Sequence, residues 1–160
     1  MDLFVSGVMN KNVVAANASM NLEELGSLFT EHRFSGFPVV DDGVLVGVVT
    51  TSDLVKASFP TDNVTTSTHS NRELRRMLAN PLGNVALQMS VGDVMTRDVI
   101  TVSPQDYLRD AADLMYKNRI HRVFVVNDKK LVGVLSPFDF VKLYVRKRIH
   151  AGYRPPARDF

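Results

Sequence analysis

An offset of 86 residues lays the chain on itself: Val8 to Lys56 falls on Val94 to Lys142 without a gap, and 16 of the 49 positions are identical. Coincident valines could arise between any two apolar strands. Gly47 on Gly133, Asp53 on Asp139 and Lys56 on Lys142, all in one register, could not easily do so. The chain therefore carries a duplicated unit of about fifty residues, and a repeat of this kind governs the fold. One such unit is too small to bury much core alone, so the two copies must pack on each other. Duplicated units usually pack about an approximate two-fold axis, which would put equivalent crevices on both sides of their interface.

Each copy reads as strand, helix, strand, strand, helix. The first strands are expected at Val13 to Ala15 and Val99 to Val102. Leu22, Leu25, Leu28 and Phe29 recur at helical spacing, as do Leu108, Ala111, Ala112, Leu114 and Met115, which predicts helices over about Leu22 to His32 and Leu108 to Asn118. Asn21 and Glu24 have the spacing of a capping box. Strands are expected at Phe37 to Val40 and Val44 to Val49, turned by Asp41-Asp42-Gly43, and at Val123 to Val126 and Leu131 to Leu135. A second helix should start near Ser52 and near Pro137. The resulting division is 1–58 for the first repeat, 59–86 for a linker, 87–148 for the second repeat and 149–160 for a flexible tail. Within the linker, the spacing of Leu74, Met77 and Leu78 predicts a short amphipathic helix over Arg72 to Leu78.

Composition narrows the function. Nineteen basic and 17 acidic side chains leave a formal net charge of +2, which predicts no strong general attraction to nucleic acid or to membrane. No cysteine is present, which removes disulfides, thiolate zinc sites and cysteine nucleophiles. The start Met1-Asp2-Leu3-Phe4 lacks the features of a signal peptide, and no apolar run reaches membrane-spanning length, so a cytoplasmic protein is expected. The four histidines are scattered without metal-ligand spacing, and neither a phosphate-binding Gly-Lys loop nor a Gly-x-Ser-x-Gly elbow is present. The expectation is a binding module that is not an enzyme, with no cofactor and no metal.

The ordered set of Val8-Met9, Phe37-Pro38-Val39-Val40-Asp41 and Gly47-Val48-Val49-Thr50-x-x-Asp53 resembles a CBS domain. It recurs as Val94-Met95-Thr96, Val125-Val126-Asn127 and Gly133-Val134-Leu135-Ser136-x-x-Asp139. The resemblance implies an α+β fold of two β-α-β-β-α repeats packed sheet to sheet with pseudo-two-fold symmetry. It also implies a stand-alone regulatory pair that binds AMP, ADP, ATP or S-adenosylmethionine between its repeats, often as a dimer, and signals to a regulated protein. The alternative is an interaction or scaffold protein whose clefts hold no ligand.

Thr50 with Asp53, and Ser136 with Asp139, have the spacing of a helix cap. A carboxylate at that place can also accept two hydrogen bonds from the vicinal diol of a ribose. In the family this aspartate holds the ribose, and the Ser/Thr lies near ribose or phosphate. His121-Arg122, just before the second strand of copy two, resembles the basic pair with which family members contact phosphates, and arginine suits that role. Copy one has Ser35-Gly36 there, so its site should take a less charged ligand or stay empty. Adenine contacts are expected around Asn10 to Ala15 and Thr96 to Thr101. The last helix carries Phe138, Phe140, Val141, Leu143, Tyr144 and Val145 on several sides, so part of its apolar surface needs a partner, and the resemblance implies a second copy, a homodimer through the repeat helices.

Overall fold

In the computed structural model, residues 3–58 and 88–150 are described, apart from the side chains of Ser58 and residues 146–150. The expected linker helix at Arg72 to Leu78 and the chain after His150 lie outside the described residues. Where apolar residues recur at helical spacing, helices form: α1 (Leu22–His32) and α4 (Leu108–Asn118) have the expected bounds. The Asn21 side chain accepts the Glu24 N–H at 2.8 Å, and the Glu24 carboxylate accepts the Asn21 N–H at 3.1 Å, which closes the capping box. Both helices stop at an arginine in the left-handed region, Arg33 and Arg119. The other helices are α2 (Thr51–Ser58), α3 (Val91–Val94) and α5 (Pro137–His150), with a 3-10 turn at Val5–Gly7. Among the described residues no helix is long and apolar enough to cross a membrane.

The strands are β1 (Ala16–Asn17), β2 (Gly36–Asp41), β3 (Val44–Thr50), β4 (Thr101–Val102), β5 (Val123–Asn127) and β6 (Lys130–Leu135). In each repeat a two-residue strand runs parallel to the middle strand, Ala16 opposite Val39 and Thr101 opposite Phe124. β2 and β3 pair antiparallel through a tight turn whose Asp42 and Gly43 have φ of 47° and 80°, the left-handed region that Asp and Gly tolerate best. The β-α-β-β-α order expected of each copy is present.

The described residues fall into two compact units, and their composition is crossed. One unit, here the Asp139 unit, contains Met1–Val13, Ile100–Asp128 and Val132–Phe160. The other, the Asp53 unit, contains Val14–Val99 and Lys129–Leu131. The leading segment of each repeat is thus built into the unit that holds the rest of the other repeat. Val5 is fully buried in a core with Val102, Leu108, Ala111, Met115, Val123, Val125 and Leu135. Its counterpart 86 residues on, Val91, is buried with Leu22, Leu25, Phe29, Phe37, Val39 and Val49. Backbone bonds fix the same exchange. Asn10 and Val134 exchange N–H to O bonds of 2.9 Å within the Asp139 unit, and Thr96 and Val48 do so within the Asp53 unit. This crossing explains the short first strands. The chain leaves one unit after Val13 and enters the other at Val14, so Val13 to Ala15 has no strand partner and pairing begins only at Ala16.

The repeated glycines serve this exchange. A Cβ on Gly133 would lie 2.6 Å from Met9 Sδ, and one on Gly47 2.5 Å from Met95 Sδ. The Gly47 position also faces the Thr96 carbonyl oxygen at 2.9 Å, whereas at Gly133 the nearest backbone atom, Asn10 O, is at 3.2 Å. A flexible methionine can yield; a backbone carbonyl held in a bridge cannot. Gly47→Ala should therefore cost about 2–3 kcal/mol and Gly133→Ala about 1–2 kcal/mol, measured by urea unfolding. Met9→Ala should recover part of the Gly133→Ala loss, and Met95→Ala should recover little of the Gly47→Ala loss.

Candidate functional site

The crossing decides which residues can act together. The Asp139 unit holds Ser136, Asp139, His121 and Arg122 together with Asn10 to Val13, the first part of one expected adenine segment. The Asp53 unit holds Thr50, Asp53, Ser35 and Gly36 together with Thr96 to Val99. Each proposed ribose carboxylate is therefore joined by the leading segment of the other repeat, which the repeat pattern alone does not reveal. Val14 and Ala15 belong with the Asp53 unit, and Ile100 and Thr101 with the Asp139 unit, so each expected adenine segment is divided.

Both aspartates are helix caps. The Ser136 N–H and hydroxyl donate to Asp139 Oδ2 at 2.9 and 2.7 Å. The Thr50 N–H and hydroxyl donate to Asp53 Oδ2 at 2.7 and 2.6 Å. The same device recurs away from any candidate site, where the Ser90 N–H and hydroxyl donate to Asp93 Oδ2, both at 2.7 Å. Those bonds, the hydroxyl first and the N–H second, hold the exposed Asp93 carboxyl below its usual range. Its contribution to α3 is thus present at neutral pH and lost as pH falls through that depressed value. The hydroxyl-to-carboxylate bond is accordingly a local capping motif and carries no ligand information by itself.

Burial separates Asp139 from the other two. Its residue is 8% exposed, the one charged group among the described residues that is buried. Asp53 is half-buried and Asp93 exposed. Asp139 Oδ2 is fully used by Ser136, while among the described residues Oδ1 meets Lys142 Nζ alone, at 3.5 Å, and so keeps acceptor capacity. A buried carboxylate with an under-used oxygen is suited to bind donors such as a diol.

The helix starts offer an anion little else. The Thr51 N–H donates to the Ser35 carbonyl at 3.1 Å, the Asp53 N–H reaches Thr50 Oγ1 at 3.4 Å and the Asp139 N–H donates to the Ser136 carbonyl at 3.0 Å. Pro137 has no N–H to give. A phosphate would depend on side-chain cations instead. Gly36 pairs with Thr50 across β2 and β3, whereas its counterpart 86 residues on, Arg122, lies just before the first residue of β5. His121 is exposed and Arg122 half-buried. At Gly36 a Cβ would meet the Val49 carbonyl oxygen at 3.2 Å, so the Asp53 unit is not simply converted to the basic form.

A hollow of about 780 Å³ within the Asp139 unit is lined mainly by Met115, Ile120, Pro137 and Phe140, with Lys117 and His121 at its polar part. Ser136 and Asp139 are not among its lining, so it is a feature of the α4 and α5 helices and distinct from the carboxylate.

A family model described as the CBS domain matches residues 5–59 and again residues 91–146. The chain belongs to the CBS-domain family and carries two copies. Protein MJ1426 of Methanocaldococcus jannaschii is 32% identical over 89% of this chain and 92% of its own length. CBSX2, a CBS-pair protein from Arabidopsis thaliana, has been solved in complex with AMP. That structure is 27% identical, with a TM-score of 0.66, and the match covers 91% of this chain and 98% of CBSX2. The CBS domain pair of protein MJ0100 has been solved with 5'-methylthioadenosine and S-adenosyl-L-methionine. It is 25% identical, with a TM-score of 0.62, over 92% of this chain and 99% of that one. CBS pairs similar to this chain thus bind AMP or S-adenosylmethionine-type ligands.

The caps make a prediction that needs no ligand. Asp139→Ala should cost about 2 kcal/mol of stability and Asp93→Ala about 1 kcal/mol or less, since the first also leaves the half-buried Ser136 hydroxyl without its partner. Equal losses in urea unfolding would mean that the burial of Asp139 adds nothing.

Proposed function

We propose that the chain is a regulatory, non-catalytic ligand-sensing module that takes an adenine nucleotide (AMP-, ADP- or ATP-like) at Asp139 and signals its occupancy to a regulated protein. The observation that carries this reading is the buried Asp139 carboxylate, with Oδ1 under-used, in the same unit as His121, Arg122 and Asn10 to Val13. Asp139 accepts the ribose diol, Ser136 fixes the carboxylate, and His121 and Arg122 meet the phosphates. The AMP complex of CBSX2 supports an adenosyl ligand of this kind. A second reading, an S-adenosylmethionine-type ligand, has the support of the MJ0100 complex. The basic pair favours the anionic ligand. Thr50 and Asp53 form a weaker site of the same design, which lacks the cations.

Calorimetry on three variants tests the assignment. Asp139→Ala should weaken AMP binding by about 10- to 100-fold, the loss of charge-assisted hydrogen bonds. Arg122→Ala should weaken AMP, ADP and ATP and spare adenosine. Asp53→Ala should leave the tight isotherm nearly unchanged. Loss of the tight site in Asp53→Ala with Asp139→Ala intact would reverse the ranking. No effect in either would reduce both aspartates to caps.

The same module is proposed to work as a homodimer. Phe138, Val141, Tyr144 and Val145 are exposed along α5, and Tyr116 on α4 is 84% exposed beside the apolar hollow. A second copy can cover such a face by self-complementary packing. Sedimentation should give a species of twice the 17.8 kDa chain mass at micromolar concentration. A monomer alone would contradict it.

A further inference from the structure

We propose that Lys142 is the resident counter-ion of Asp139 and selects the charge of the ligand that this site accepts, an anionic adenosyl compound over a cationic one. The inference rests on the reading that Asp139 receives the ribose diol. Lys142 Nζ lies 3.5 Å from Asp139 Oδ1, the oxygen that Ser136 leaves open. It also lies 5.0 Å from the centre of the Phe138 ring, so a cation–π contact holds the ammonium at the start of α5. The side chain is 53% exposed, so solvent can take the ammonium when a ligand displaces it.

Copy one lacks this arrangement although it has the same lysine. Lys56 stands at the position of Lys142 and Asp53 at that of Asp139, but Ser52 replaces Phe138. Without a ring beneath it, Lys56 makes no ion pair with Asp53 among the described residues. The difference between the two sites therefore comes from one aromatic residue as well as from the basic pair before β5.

The consequence follows from the acceptor count. A vicinal diol donates two O–H groups, and with Oδ2 saturated both must go to Oδ1 or share it with the ammonium. A neutral nucleoside loses affinity by displacing Lys142. A nucleoside with a 5' phosphate keeps an attraction to the displaced ammonium nearby. A nucleoside with a 5' sulfonium is repelled by it.

The test uses the full chain, with adenosine, AMP and S-adenosylmethionine as probes, in calorimetric titrations of the wild type, Lys142→Met, Lys142→Arg, Phe138→Ser and Asp139→Asn. Lys142→Met should tighten adenosine by about two- to fivefold, the range of a half-exposed ion pair. The preference for AMP over S-adenosylmethionine should fall by about tenfold, and the change should shrink at 0.5 M salt, a concentration chosen to bring the screening length to about 4 Å. Lys142→Arg should keep the wild-type order. Phe138→Ser, which frees the ammonium without removing it, should tighten adenosine in the same direction. If Asp139→Asn weakens adenosine while Lys142→Met and Phe138→Ser leave the three affinities in their wild-type ratios, the counter-ion role is wrong and the diol reading stands. If Asp139→Asn leaves adenosine binding unchanged, the diol reading fails and the counter-ion role fails with it.

Discussion

The backbone pairing of Asn10 with Val134, matched by that of Thr96 with Val48, is the constraint on which the remaining features depend. It brings the leading segment of each repeat into the unit of the other repeat. Val5 and Val91 can then fill cores to which their own repeats do not contribute the helix. It demands glycine at 47 and 133, because methionine and backbone pass where a Cβ would stand. It also settles which loop residues accompany which aspartate. A chain that packed each leading segment on its own repeat would pair Asn10 to Val13 with Asp53, and its ligand chemistry would be different.

Much of this architecture was legible in the residues. The bounds of α1 and α4 follow from apolar spacing, because a core-facing helix leaves a 3.6-residue signature. The first hairpin turn follows from Asp-Gly chemistry, whereas the second puts Asp128 and Lys129 in the left-handed region with no glycine to mark it. The crossing was not legible, since an ungapped repeat is equally compatible with self-packing and exchanged packing, and nothing in Val13-Val14-Ala15 marks the change of unit. The parallel strands were placed too early for the same reason: β-branched residues indicate an extended chain, not a hydrogen-bonded partner.

The candidate site shows a different limit. Ser-x-x-Asp and Thr-x-x-Asp spacings read correctly as caps, and the cap geometry forms at Asp53, Asp93 and Asp139 alike. What distinguishes Asp139 is its burial, a property of packing that no local spacing encodes. Lys142 gives no sequence signal either. It meets both Asp139 and the Phe138 ring, whereas Lys56 occupies the corresponding place beside Ser52.

The central claim is that an adenine nucleotide occupies a site composed of Asp139, its basic neighbours and the leading segment of the other repeat. Amide chemical shifts followed during an AMP titration test it most directly. The account predicts that Asn10 to Val13, His121, Arg122, Ser136 and Asp139 move together with one dissociation constant, and that Thr96 to Val99, Thr50 and Asp53 respond only at higher concentration. Early shifts confined to the Thr50 and Asp53 group, or shifts at Asp139 with none at Asn10 to Val13, would contradict it.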